Sequence, residues 1–169
     1  MRLILVRHAD AAPAAPGQDD AARPLTPLGH EQAAALRDAL RQVGVVPDAV
    51  LTSPAVRAAE TAAPLAELLA AGRGVLVTDR LSVDQLRPKK MSREVMDLGA
   101  ETVVLVGHMP DIGIYAGWLI GSKEDMLGFD RAGAACFTVP ADDVGKGAGA
   151  LDWFVNADWC RLAATTTSP

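Results

Sequence analysis

Several features that would assign a class at once are missing from this chain. Half of its 169 residues are apolar, yet no run approaches the roughly 18 consecutive apolar residues needed to cross a bilayer. The run Leu3 to Val6 is too short for a signal-peptide core, and no small-residue cleavage site follows a longer one, so the sequence reads as cytoplasmic. Only two cysteines occur, Cys136 and Cys160, among apolar or aromatic neighbours and without CxxC spacing; they read as reduced core thiols. The three histidines show no HxxxH or HExxH spacing, so nothing points to zinc. There is no excess of positive charge. A net charge of −5 argues against general affinity for nucleic acid or an anionic membrane, and any bound phosphate must meet a local cluster of cations. With no internal repeat and no linker, residues 1–169 read as one domain, long enough to bury a continuous core without a disulfide or structural metal.

What is present begins with MRLILVRHADA, where four apolar residues run straight into Arg7-His8. The segment PLTPLGHEQAAALRDALRQVG predicts a helix with Thr26 as cap, Pro27 at the first position and Gly44 just past the end, turning Leu36, Ala39, Leu40 and Val43 inward. Ala49 to Thr52 reads as a second strand, then Ser53 as N-cap and Pro54 as first residue of a second helix that Pro64 kinks or divides. GVLVTD supplies a third strand, SREVMDL a short helix, ETVVLVGH a fourth strand, and Pro110 starts a helix over about Asp111 to Ile120. Continuous apolar strands alternating with helices predict an α/β sandwich of three layers: a mostly parallel central sheet with helices on both faces. AACFTV and ALDWFVN read as an antiparallel addition at one edge, residues 11 to 24 as a long loop that is functional or mobile, and the closing ATTTSP as a fraying end.

In such a sheet ligands bind beyond the carboxyl ends of the strands. Three segments deliver polar residues there: Arg7-His8, Ser53-Pro54 leading to Arg57, and Gly107-His108. A cation at the start of a helix is disfavoured by the macrodipole by about 0.3 to 1 kcal/mol, a preference that a nearby anion reverses. The structural alternative for Arg57 is a contact with Glu60 or Thr61 along the helix; for His108 it is a hydrogen-bonded loop histidine. His30, on a helix with no strand end behind it, reads as a surface residue. Taken together, two histidines and two arginines brought to one edge make a site that can grip and attack a phosphoryl group.

The combination of RHAD, SPAVRAAET and VGHMP resembles the histidine phosphatase superfamily. RHADA, RPLTPLG and the short length resemble its small phosphohistidine phosphatases of the SixA type. The resemblance implies a phosphoglycerate mutase-like fold with no cofactor and no metal. It implies His8 as nucleophile, with Arg7, Arg57 and His108 binding the phosphoryl oxygens and the Met109 position at the same helix start. Relatives that cleave phosphomonoesters use a carboxylic acid, often on an insertion. Only 51 positions separate Arg57 from His108, leaving no room for a large cap, and the candidate acids are Asp10 and Asp84. An imidazole departs more readily than an alkoxide, so a site poor in acids suits phosphohistidine. The expectation is therefore a phosphatase for phosphohistidine in a protein, with a small-molecule or sugar phosphomonoesterase as the enzyme alternative and a phospho-recognition module as the non-enzyme one. The stretch LSVDQLRPKKMSRE reads as a loop whose Arg87, Lys89, Lys90 and Arg93 are solvated or face an acidic or phosphorylated partner.

Overall fold

Four apolar segments, each short and bounded by turn residues, line up as the parallel part of one sheet: β1 (Arg2–Arg7), β2 (Ala49–Thr52), β3 (Val75–Val77) and β4 (Thr102–Gly107). The computed structural model describes residues 1–70, 74–122 and 127–165. Six strands stand in the order β3-β2-β4-β1-β5-β6, where β5 (Ala134–Thr138) pairs antiparallel with β1, and β6 (Ala150–Val155) antiparallel with β5. The expected antiparallel addition is thus a pair of strands whose reversed member lies one place in from the edge.

Alternation along the central strands splits the core in two. Leu3, Leu5, Leu51, Val103 and Leu105 face one way, against Met91 and Val95 of α3 (Pro88–Asp97) and Ile112 and Tyr115 of α4 (Asp111–Leu119). Ile4, Val6, Val50, Val104 and Val106 face the other, against Leu36 and Leu40 of α1 (Pro27–Gln42), Ala58, Ala62 and Leu65 of α2 (Val56–Leu65), and Cys160 of α5 (Ala157–Thr165). Burial on both faces is why these strands read as unbroken apolar runs. β3 is the exception, an edge strand whose Leu76 and Val77 are exposed.

Element ends depart from the sequence reading in four places. Thr26 caps α1 by accepting from the Gly29 N–H at 3.0 Å, and Gly44 follows at φ +70°, but Val43 is the C-cap, 66% exposed rather than inward. Ala55, not Ser53, is the N-cap of α2, with Ser53 Oγ accepting the Ala55 N–H ahead of the helix; Pro64 stays within the last turn of that helix, and a 3-10 turn follows. Pro110 is the N-cap of α4, one place before its first residue. The basic stretch is no loop: Arg87 is the N-cap of α3, and Lys89, Lys90 and Arg93 stand on that helix.

Both cysteines are free and buried, and His30 is exposed. The loop at 11 to 24 holds a 3-10 turn at Asp20–Ala22, and Ala11 bridges to Leu25 at its base. α5 takes in the first two residues of ATTTSP; the rest fall outside the described residues. Among the described residues no helix is long and apolar enough to cross a membrane.

Candidate active site

Strand register builds the site. β1 and β4 pair parallel with Arg7 opposite Gly107, and β2 pairs with β4 with Thr52 opposite Val106, so the residues that leave the three strands emerge side by side. His8 continues the ladder by donating its N–H to the Gly107 carbonyl at 3.0 Å. The His8 and His108 rings lie with centroids 5.1 Å apart. Arg57 comes in from the first turn of α2, anchored through Thr61, whose hydroxyl donates to the Arg57 carbonyl at 2.7 Å and accepts the Ala9 N–H at 3.0 Å. Thr61 therefore hydrogen-bonds the backbone carbonyl of Arg57, and the carboxylate of Glu60 accepts the Leu25 N–H at 2.7 Å.

The protonation of His8 follows from its partner. Nδ1 lies 2.8 Å from the Ala9 carbonyl, which can only accept, so Nδ1 carries the hydrogen and Nε2 keeps a lone pair. Burial lowers the His8 pKa to about 4; the Ala9 hydrogen bond opposes the fall, and Arg57, Arg7 and Arg23 add to it. His8 is thus a neutral imidazole at physiological pH. His108 is buried, with Nε2 2.9 Å from Ser53 Oγ. Ser53 Oγ also accepts the Ala55 N–H at 3.2 Å. Burial first, then the charges of His8 and Arg57, lower the His108 pKa to about 3.

Buried nitrogens without a partner gather here. Among the described residues, Arg7 Nε, Arg57 Nε and His108 Nδ1 are buried with no hydrogen bond, while Arg23 Nε lies 2.9 Å from Asp20 Oδ1. An unmet buried donor costs about 1 to 3 kcal/mol, so the unpaired Nε–H groups of Arg7 and Arg57 mark a site made for a ligand rich in acceptors. One terminal nitrogen of Arg7 donates to the Phe129 carbonyl at 2.7 Å and one of Arg23 to the Ala12 carbonyl at 3.0 Å. Arg57 is held by Asp20, its two terminal nitrogens donating to the Asp20 carbonyl at 2.6 Å and to Oδ2 at 2.9 Å. Arg23 and Asp20 were not singled out from the sequence. RPLTPLG contains Arg23, but nothing local ties Asp20 to an arginine 37 positions away.

The structure brings Arg7, His8, Arg57 and His108 together. Met109 is half-buried and packs against the core. Asp10 is committed elsewhere: its carboxylate accepts from Thr26 Oγ1 at 2.5 Å and pairs with Arg131. Asp84 is exposed at φ +60°, in the loop before α3. Asp111 is buried, with its carboxyl pKa raised by burial and Oδ2 unpartnered. Among the described residues no three His, Cys, Asp or Glu side chains form a metal-binding group. A polar cavity of about 390 Å³ lined by Arg7, Gln32, Asp130 and Arg131 opens beside the site. A second, of about 800 Å³, lies between β3 and α3; it carries Lys89, Lys90 and Arg93, with Arg80 bonded across it to Glu94 at 2.8 Å.

Residues 3–82 match the model of the histidine phosphatase superfamily (branch 1). An uncharacterised protein of Picosynechococcus sp. is 32% identical over 147 residues, 79% of this chain and 82% of that protein. The structure of the protein histidine phosphatase SixA complexed with tungstate superposes with a TM-score of 0.82 at 25% identity, covering 96% of this chain and 99% of that one. A structure assigned as the phosphohistidine phosphatase SixA of Agrobacterium tumefaciens gives 0.73 at 27%, covering 91% and 97%. A phosphoserine phosphatase mutant of Entamoeba histolytica shares the fold, with a TM-score of 0.67 at 19% identity over 92% of this chain and 97% of that one. Two histidines on neighbouring strand ends are what that fold carries here, and the chain belongs to the histidine phosphatase superfamily, SixA-like within it.

Proposed function

We propose that residues 1–169 form one phosphatase domain that removes the phosphoryl group from phosphohistidine in a protein, through a phosphohistidine on His8. One observation carries the reading: a neutral imidazole with a free Nε2 sits beside buried Nε–H groups of Arg7 and Arg57 that lack acceptors. Nε2 attacks phosphorus as the bond from phosphorus to the leaving imidazole nitrogen breaks, and that nitrogen takes a proton from solvent. Arg7, Arg57 and His108 bind the equatorial oxygens as charge develops on them, and the Met109 position at the start of α4 borders the same group. Water then attacks the phosphorylated His8, inorganic phosphate leaves, and Nε2 recovers its lone pair. No metal is called for, since the arginines hold the charge before substrate arrives.

The acid inventory favours an easy leaving group. Asp10 is bound by Thr26 and Arg131, and Asp84 lies exposed, so neither is held over the two histidines. The carboxylate that His108 does sense is Asp20, an ion-paired anion. An imidazole with an ordinary pKa near 6.5 needs far less help than an alkoxide.

The test compares a phosphohistidine peptide, a phosphoserine peptide and a sugar phosphate, with labelled substrate quenched in alkali to trap a phosphohistidine on the protein. Phosphohistidine should be cleaved fastest, and His8→Ala should lose both label and turnover. For Asp10→Asn and Asp84→Asn the losses should stay well below the roughly 100- to 10,000-fold of a true general acid. Sugar-phosphate turnover that is efficient in the parent and lost in either variant would establish a phosphomonoesterase instead. Phosphate binding without any turnover would establish a recognition module.

A further inference from the structure

Arg57 is 2% exposed, and its guanidinium is held from outside the strand ends by one residue of the loop between β1 and α1. Asp20 supplies two oxygens: its carbonyl takes one terminal nitrogen at 2.6 Å and Oδ2 takes the other at 2.9 Å. Oδ1 of the same carboxylate lies 2.9 Å from Arg23 Nε, so one side chain spans two arginines. Asp20 is delivered by its 3-10 turn, which Asp19 caps by accepting the Ala21 N–H at 3.0 Å. Its side chain is 62% exposed, so it is not a buried counterion that core formation obliges. With both terminal nitrogens engaged, Arg57 keeps Nε–H buried and unpaired. A guanidinium is a planar fork with fixed donor directions, and gripping its far end fixes where the near side points.

We propose that Asp20 is a positioning residue of the phosphoryl site: it clamps the Arg57 guanidinium so that its unpaired Nε–H is already presented to an incoming oxyanion. The clamp rests on the phosphoryl-site reading given above. With Asp20 in place the arginines 7, 23 and 57 carry a net two positive charges, the complement of a phosphoryl dianion. Asp20 does not serve as an acid. Slight burial raises its carboxyl pKa, but the charges and hydrogen bonds of Arg57 and Arg23 outweigh that and hold it below the usual carboxylate value.

Coulomb's law alone forecasts the opposite of the clamp. A carboxylate one guanidinium away from a bound dianion repels it, so removing Asp20 would tighten anion binding. The clamp makes removal weaken it, because the ligand must then order a freed arginine. The sign of the change therefore decides.

The experiment is calorimetric titration of the full chain with sodium tungstate, a tetrahedral dianion that is not turned over, alongside turnover of a phosphohistidine peptide. Asp20→Ala should raise the tungstate Kd about tenfold or more and lower kcat, and Asp20→Asn, whose amide oxygen can still accept, should fall between it and the parent. Asp19→Asn removes a neighbouring charge while keeping a cap, and should stay within about twofold. If Asp20→Ala unfolds, the Asn variant carries the decision. Tungstate bound as tightly or more tightly by either Asp20 variant, or weakened equally by Asp19→Asn, overturns the clamp. A parent that binds no tungstate overturns the phosphoryl site and the clamp with it. A parent that binds tungstate but leaves the phosphohistidine peptide intact overturns the substrate reading alone, and the clamp is then judged by the sign of the affinity change.

Discussion

Lowering the pH loads protons onto the unfolded chain before the folded one accepts them, and two buried imidazoles set the size of the effect. Burial is the leading cause at both, taking His8 from 6.5 to about 4 and His108 to about 3. Above pH 6.5 neither state binds these protons, and the imidazoles leave stability unchanged. Between pH 6.5 and about 4 the unfolded chain takes up protons that the folded chain refuses, so stability falls as pH falls. At about 1.4 kcal/mol per pH unit for each proton, His8 accounts for a ceiling of about 3 kcal/mol across that window, and His108 for a similar amount. Together these are of the order of half a typical domain stability. Asp20 and Asp38, whose carboxyl pKa values lie below the usual one, act only at still lower pH.

Urea unfolding between pH 7.5 and 4.5 reads this directly. The parent should lose stability with a slope approaching two protons, and His8→Gln and His108→Gln with a slope nearer one. The imidazole C2 proton signals, assigned by the same variants and by His30→Gln, should show His8 and His108 neutral at pH 5.5. The acid limb of kcat/KM, which reports the free enzyme, should fall near pH 4 rather than 6.5. Stability that is flat between pH 6.5 and 4.5, or a His8 signal titrating at 6.5, would refute the placement of these rings in a dehydrated site.

Two further outcomes follow from other parts of the structure. Turnover should survive exhaustive treatment with EDTA, because Arg7, Arg23 and Arg57 bring positive charge to the site; activity lost to the chelator and restored by one divalent ion would contradict the metal-free mechanism. Gly29→Ala would set a Cβ 2.0 Å from the Asp10 carbonyl oxygen, so α1 must move away from the β1 loop. The cost should be about 3 kcal/mol, seen as a Tm lowered by about 6 to 12 °C; a drop under about 2 °C would mean that the approach is looser than described.

The central strands were legible because two-sided burial leaves an unambiguous apolar run, and β1 and β4 end where the sequence turns polar. His8, Arg57 and His108 were legible because each stands at or just after such an end. Helix starts were less so. Ser53-Pro54 has the chemistry of a cap and first residue, but the serine hydroxyl, shared with His108 55 positions on, reaches only the Ala55 N–H, and the helix begins later. The start of α3 has no side-chain cap and no acidic residue in its first turn, so RPKK looked like loop. Asp20 was invisible for another reason: its partner is 37 residues away, and charge spacing within a loop does not reveal which buried cation it will meet.

Neighbouring strands in a sheet stand about 4.8 Å apart. The His8 and His108 rings, 5.1 Å apart, are separated by almost that distance, because each leaves its strand at the same rung. The spacing of the two histidines therefore starts from the strand ends, and the Ala9 carbonyl and the Ser53 hydroxyl hold the rings within it. Redesign toward other phosphorylated compounds would keep that spacing together with the Asp20–Arg57 contact, which arrives from outside the sheet.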